Sequence, residues 1–365
     1  MQTDSGRDIS LVIRNGTVID GTGAPAREAD IAIAGGRIAA IGHIAARGVE
    51  EIDAKGLLVT PGFVDPHTHY DAQVTWAEEI TPSSCQGVTT VLIGNCGVGF
   101  APCAPANRAR LVELMEGVED IPEPVLTEGL PWNWTSFPDY LDTLAARRFD
   151  LDVATQVPHA ALRVHVMGRR AAAREPATGS DRLAMARLAA EGIEAGALGF
   201  STSRTLNHKT LAGESIPTLD AAEAELAEIA AAVGATGKGW LQVISDFDEA
   251  IAEEFAMLRR LVARSGRPMT MTLLERDHKP EEWRVLLDGI AEANAAGQTM
   301  TAQVLTRPTG ILLGFEISQN PFADCPSWQA IAARPFAERL AALRDPGFRA
   351  RLLAERPDSP GRMGR

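Results

Sequence analysis

Over the first sixty residues, apolar positions alternate with small or polar ones, as in ISLVIRNGTVIDGTG (9–23) and ADIAIAGGRIAAIG (29–42). A period of two marks half-buried β-strands, and Asn15-Gly16 and Gly35-Gly36 are dipeptides suited to hairpin turns. Residues 1–60 are therefore expected to form a small β subdomain, too short to bury much by itself. From residue 62 the texture changes. Short apolar runs at 62–69, 88–94, 153–157, 197–202, 239–246, 268–275 and 299–305 alternate with helical periodicity at 180–195, 220–234 and 281–296. Ser180 stands where a helix cap is expected. Repeated strand–helix units imply a parallel sheet, either closed as a barrel or open and doubly wound. No Gly-rich phosphate loop follows the first run, which removes the main argument for the open form. This body is taken to span 61–356. Within it, residues 97–150 hold Pro102, Pro105, Pro122, Pro124, Pro131 and Pro138 and read as an irregular insertion of the kind that covers sites. Residues 335–354 are helical in pattern, and 357–365 read as a disordered tail.

Composition narrows the function classes. The 365 residues are 45% hydrophobic and 23% charged, enough for a large core, with a formal net charge of −13. Such a surface repels polyanions, so nucleic acid and anionic membranes are not expected partners. No apolar run approaches the roughly 18 residues of a membrane span, and the polar start lacks a signal core. Four irregularly spaced cysteines make no disulfide framework. A cytoplasmic protein with reduced thiols is expected, its oligomeric state left open.

The chemistry concentrates in GFVDPHTHYD (62–71). A chain with only seven histidines places His67 and His69 one residue apart at a strand end. Strand residues i and i+2 share a face, which would also carry Asp65. Two neutral imidazoles aimed at one point suit a zinc-type ion, although two strand histidines bonded to neighbours would give the same pattern. The next strand ends in VLIGNCGVGFAP, with Cys96 between Asn95 and Gly97. If the sheet closes as a barrel, its strand ends bring His67, His69 and Cys96 together as a zinc set with an open position. Taken alone, Cys96 reads equally as a small buried hydrophobe. The loop 201–210 carries Ser203, Arg204, Asn207, His208 and Lys209, donors for a carboxylate or simply a polar connection. His43, His159 and His165 fall away from the expected strand ends and read as structural or surface residues.

VIRNGTVIDGTG, GGRIAAIG, VTPGFVDPHTHYD and IGNCGVGFAP resemble the amidohydrolase superfamily, and within it the N-acyl-D-amino-acid deacylase branch, over about residues 10–355. The resemblance implies a (β/α)8 TIM-type barrel with a small N-terminal β-sandwich. It also implies one or two divalent ions, zinc in kind, on His67, His69 and Cys96, and hydrolysis of a linear amide such as an N-acyl-D-amino acid. Arg204, His208 and Gln242 are then candidates to hold the substrate. The departures are specific. Where the family has histidines at the ends of its fifth and sixth strands, this chain has GWLQVISDF and MTMTLLERD, with Gln242 or Asp246 and Glu275 or Asp277 nearby. His278 reads as a solvated loop residue. The family's strand-four lysine has no match, Lys209 lying beyond that strand. A cyclic-amide hydrolase of the dihydropyrimidinase type is disfavoured by Cys96 and the absent lysine. The reading from another class is a barrel fragment that binds a metal or ligand without turnover. Seven strands are counted where a barrel needs eight, and the family's catalytic aspartate closes the eighth. The expectation is a chain truncated before that strand and inactive alone.

Overall fold

The computed structural model describes residues 8–247, 250–276, 279–305, 313–316 and 320–356. The alternating segment becomes β1 (Leu11–Val18), β2 (Arg27–Ala34) and β3 (Arg37–Gly42), followed by β4 (Glu50–Asp53) and β5 (Leu58–Val59). They form one five-stranded sheet in the order β3-β2-β1-β4, with β5 also paired to β1. Gly35 and Gly36, at φ 57° and 70°, make the β2–β3 hairpin as their left-handed backbone requires. Asn15-Gly16 makes no turn. Asn15 has φ 58° inside β1, where the register to β2 shifts between Ile13 and Gly16. This is a bulge, held by Asn15 donating to Asp30 Oδ1 and Asp53 Oδ1, each at 3.0 Å. One face buries Val12, Ala32 and Ile44, while Ile38, Ile52 and Leu58 stay exposed. Among the described residues there is no second facing sheet, because β4 and β5 add to the edge of β1 instead of folding over it.

The larger unit comprises residues 64–86 and the described residues from 90 onward, the remainder making up the first unit. Its strands are β6 (Phe63–Asp65), β7 (Val88–Ile93), β8 (Asp152–Pro158), β9 (Gly199–Arg204), β10 (Trp240–Ser245), β11 (Met269–Thr272) and β12 (Met300–Gln303). They lie in sequence order in one seven-stranded sheet, and the pairs from β7 to β12 are parallel. The sheet is curled: beyond the ends of its outermost strands, His67 Nδ1 lies 2.8 Å from Gln303 Oε1. A cleft of about 430 Å³, open to solvent, is lined by Val64, Leu92, Ala154, Trp240, Met269 and Thr301, among others.

The insertion is more ordered than its prolines suggest. It contains α1 (Arg108–Glu119), α2 (Glu123–Gly129) and α3 (Phe137–Ala145). Pro122 caps α2, and Pro124 and Pro138 sit in first turns, where a missing N–H costs nothing. α4 (His159–Met167) and α5 (Arg169–Ala172) follow β8, so His159 stands directly after a strand rather than away from one. α6 (Gly179–Ala195) is capped by Thr178, not Ser180, through a capping box with Asp181. α7 (Glu223–Ala235), α8 (Ile251–Ser265) and α9 (Glu282–Ala295) alternate with the later strands. α10 (Pro326–Ala332), α11 (Phe336–Arg344) and α12 (Pro346–Ala354) gather around Trp328, Ile331, Phe348 and Leu352. The expected tail at 357–365 lies outside the described residues. Among those described, no helix is long and apolar enough to cross a membrane.

Between β9 and its helices lies a dry ionic cluster. Arg163 donates to both oxygens of Glu225 at 2.6 Å, and His159 Nε2 donates to Glu225 Oε1 at 2.7 Å. Thr202 Oγ1 lies 2.8 Å from His159 Nδ1 and donates to it, which fixes the neutral tautomer. All three charged or titratable groups are at most 2% exposed. Burial alone would raise the Glu225 pKa, but His159 and Arg163 outweigh it and hold the carboxyl down at about 2. Because the folded value is depressed, this stabilisation is present above the ordinary glutamate range and fades as pH falls toward about 2. Arg163→Ala is expected to cost about 3–5 kcal/mol by leaving a buried carboxylate half-paired, read from the urea midpoint at neutral pH. A loss under about 1 kcal/mol would show that the cluster is not holding the fold.

Candidate metal centre

β6 stops at Asp65 because Pro66 has no N–H for the ladder. His67 and His69 therefore do not project from a strand as alternate residues, and Asp65 does not join them: its Oδ1 accepts the His67 N–H at 3.2 Å. The segment is instead pinned by Thr68, whose N–H and hydroxyl both donate to the Leu92 carbonyl at 3.1 and 2.8 Å. With Thr68 tied to β7, the flanking imidazoles turn to a common volume, ring centroids 5.4 Å apart. His67 Nδ1 donates to Gln303 Oε1, an acceptor, so Nε2 carries the free lone pair and faces Cys96 Sγ at 3.1 Å.

Cys96 is brought there by a turn that only a few residues can make. Gly94, Cys96 and Gly97 all have positive φ, at 74°, 56° and 68°. A Cβ on Gly94 would strike the Gln156 carbonyl oxygen. The turn leaves backbone donors outside any ladder, and side chains from surrounding elements take them up. Gly94 N donates to Asp71 Oδ1 at 2.8 Å, Cys96 N to Gln242 Oε1 at 3.1 Å, and Gly97 N to Ser201 Oγ at 3.0 Å. Asn95 completes the turn, donating to Leu92 O and Thr68 O and accepting from Gln156 at 2.8 Å.

The donor set matches a divalent ion. One ligand atom from each of His67, His69 and Cys96 lies within 4.8 Å of the other two. Burial lowers the pKa of both imidazoles, with His67 and His208 adding to the effect on His69, so both are neutral ligands. Burial, with Glu119 and Asp71 nearby, pushes the Cys96 thiol up; a bound cation reverses that balance. Among the described residues His69 Nδ1 and Asp71 Oδ2 are buried without a hydrogen-bond partner, polar atoms that a cation could satisfy. Burial pushes the Asp71 carboxyl up to about 7 against the opposing bond from Gly94 N–H.

The other sequence candidates divide. His208 is buried and hydrogen-bonded to Ser203 at 2.8 Å, near enough to influence His69. Gln242 is at the centre through its bond to Cys96 N, and its Nε2 is buried without a bond. Arg204 is not brought in. Alternation along β9 puts Ser201 and Ser203 on the inner face and Thr202 and Arg204 on the helix side, where Arg204 pairs with Glu254 and donates to Ala221 O. Asp246 accepts from Thr205 and Leu206 N, and Glu275 and Lys209 are exposed. Asp277 and His278 lie outside the described residues. Sequence reasoning missed Asp71, Gln303 and Glu119. Asp71 had a signal, two residues past His69; the other two are distant in the chain and had none.

Residues 50–363 match the Amidohydrolase family. A D-aminoacylase of Alcaligenes xylosoxydans xylosoxydans is 40% identical over 202 residues, covering 55% of this chain and 39% of that one. A D-aminoacylase structure concerned with its binuclear metal center aligns with TM-score 0.68 and 31% identity, over 82% of this chain and 59% of that one. The N-acyl-D-glutamate deacylase from Bordetella bronchiseptica, complexed with zinc and a phosphonate inhibitor, aligns with TM-score 0.66 and 28% identity over the same shares, 82% and 59%. The chain thus spans less than two thirds of the length of each of these proteins. Gly94→Ala is expected to destabilise by at least about 2 kcal/mol, since it adds left-handed strain to a backbone clash. An unchanged thermal midpoint would mean that the turn relaxes freely.

Proposed function

The chain belongs to the Amidohydrolase family, and from that premise we propose that it acts as a metal-dependent hydrolase of carbon–nitrogen bonds in linear amides, deacylating an N-acyl-D-amino acid. The observation that carries this is the buried convergence of His67, His69 and Cys96. These three residues hold zinc, as one ion or the first of two. Zinc there supplies a polarised carbonyl and a water whose pKa falls from about 15.7 toward about 7. The rest is done by the chain. Gln303 orients His67, the 94–97 turn aims the Cys96 sulfur, and His208 with the Gln242 amide offers donors to the substrate's polar groups. Arg204, already paired, takes no part.

The fold reading extends the same way. The curled sheet is seven staves of a (β/α)8 barrel, the eighth not being among the described residues. A closed barrel of this kind fills its interior with side chains, whereas here a cleft of about 430 Å³ along the sheet stays open to solvent. The exposed Ile38, Ile52 and Leu58 fit a small sheet that is one layer of a sandwich.

The test is calorimetric titration of the zinc-loaded chain with N-acetyl-D- and N-acetyl-L-amino acids, with hydrolysis followed in parallel. Binding of the D series at least about tenfold tighter, a difference of about 1.4 kcal/mol, is expected. Equal binding of both enantiomers, or of neither, would overturn the substrate reading.

A further inference from the structure

We infer that Glu119, the last residue of α1, supplies an oxygen ligand to the ion held by His67, His69 and Cys96; the inference rests on the metal reading of that site. Glu119 Oε1 lies 3.4 Å from His69 Nε2. Two ligands on a tetrahedral zinc with arms of about 2.0–2.2 Å stand about 3.4 Å apart. The pair satisfies no hydrogen-bond geometry, and the Glu119 carboxylate stands outside the group of ligand atoms that lie within 4.8 Å of one another, so it would reach the ion by a side-chain rotation.

Charge points the same way. Glu119 and the buried Asp71 both border His69, and among the described residues these two acids are its charged partners. A neutral imidazole does not compensate them, and among the described residues no Lys or Arg pairs with either. Asp71 Oδ2 is buried and unpartnered on the same side, 3.9 Å from His69 Nδ1. Burial raises the pKa of both carboxyl groups, Asp71 adding to the effect on Glu119, and a cation bound between them would favour their ionised forms. Chain geometry explains why the oxygen comes from the insertion. From within the strand, β10 offers Gln242, whose carbonyl oxygen is engaged by Cys96 N, and the described segment after β11 offers the exposed Glu275. Neither supplies a fourth donor, whereas α1 ends beside His69.

The purified chain is titrated with zinc against a chromophoric chelator, and the same is done for Glu119→Ala, Glu119→Gln, His67→Ala and Cys96→Ser, with far-ultraviolet circular dichroism confirming each fold. Both Glu119 variants are expected to weaken zinc at least about 100-fold, and in the cobalt-loaded protein to keep the sulfur-to-metal band while shifting the visible bands. Zinc affinity within about threefold of the parent in Glu119→Gln would overturn the inference even if Glu119→Ala is weak, since shape and not charge would then matter. Loss of zinc in Cys96→Ser and His67→Ala but not in the Glu119 variants removes Glu119 alone. No zinc binding in the parent, or none of the variants affected, removes the metal reading and this inference with it. Zinc held through Glu119 without any discrimination between N-acetyl amino acids leaves the ligand in place and removes only the substrate reading.

Discussion

The turn from Gly94 to Gly97 is the constraint on which the site depends. It reverses the chain at the end of β7 with three left-handed residues, so its N–H groups cannot continue a ladder and have to be satisfied from elsewhere. Asp71, Gln242 and Ser201 take them, one from beyond β6, one from β10 and one from β9. Asn95 and Gln156 add β8, and Gln156 Oε1 in turn accepts from Trp240 Nε1 at 2.8 Å. Three strands, β8, β9 and β10, and the segment after β6 are thereby keyed to one turn. Buried polar groups are costly when unmet, so displacing any of these strands strands a donor, and the position of the Cys96 sulfur follows from the whole set.

β9 shows how the two faces of one strand divide the work. Its inner residues, Ser201 and Ser203, hold the turn and His208. Its outer residue Thr202 is engaged by His159, and through it by Glu225 and Arg163. The ionic cluster lies outside the reacting volume, yet it fixes the strand that supports that volume. Its net contribution to stability against an apolar replacement is small or negative. Its distinct contribution is geometric, since a bidentate Arg–carboxylate pair with an oriented imidazole permits one arrangement of helix against strand.

The electrostatics of the centre are set by burial. Burial disfavours protonated His67 and His69, the thiolate of Cys96 and the carboxylate of Asp71 together. A divalent cation deepens the shift of the two imidazoles and opposes those of the thiol and the carboxyl, and so favours neutral imidazole, thiolate and carboxylate at once. The same residues that look frustrated separately are consistent as ligands and their supports.

Strand and helix positions were legible in the chain because hydrophobic period is a local property: β7, β8, β10 and the helices α6 and α9 begin and end within a few residues of their patterns. So was the convergence of His67, His69 and Cys96, since strand ends of one sheet necessarily meet at one rim. What the pattern did not contain is which atom answers which. Pro66 ended β6 early, so the histidines face each other through Thr68's bonds to β7 and not through strand alternation. Asn15-Gly16, a turn by composition, became a bulge because Asp30 and Asp53 came to meet it. Arg204 went to Glu254 on the helix side, and Glu119 arrived from an insertion whose prolines concealed three helices. Such partnerships join residues tens to hundreds of positions apart. They exist only once the sheet has curled, and no local period encodes them.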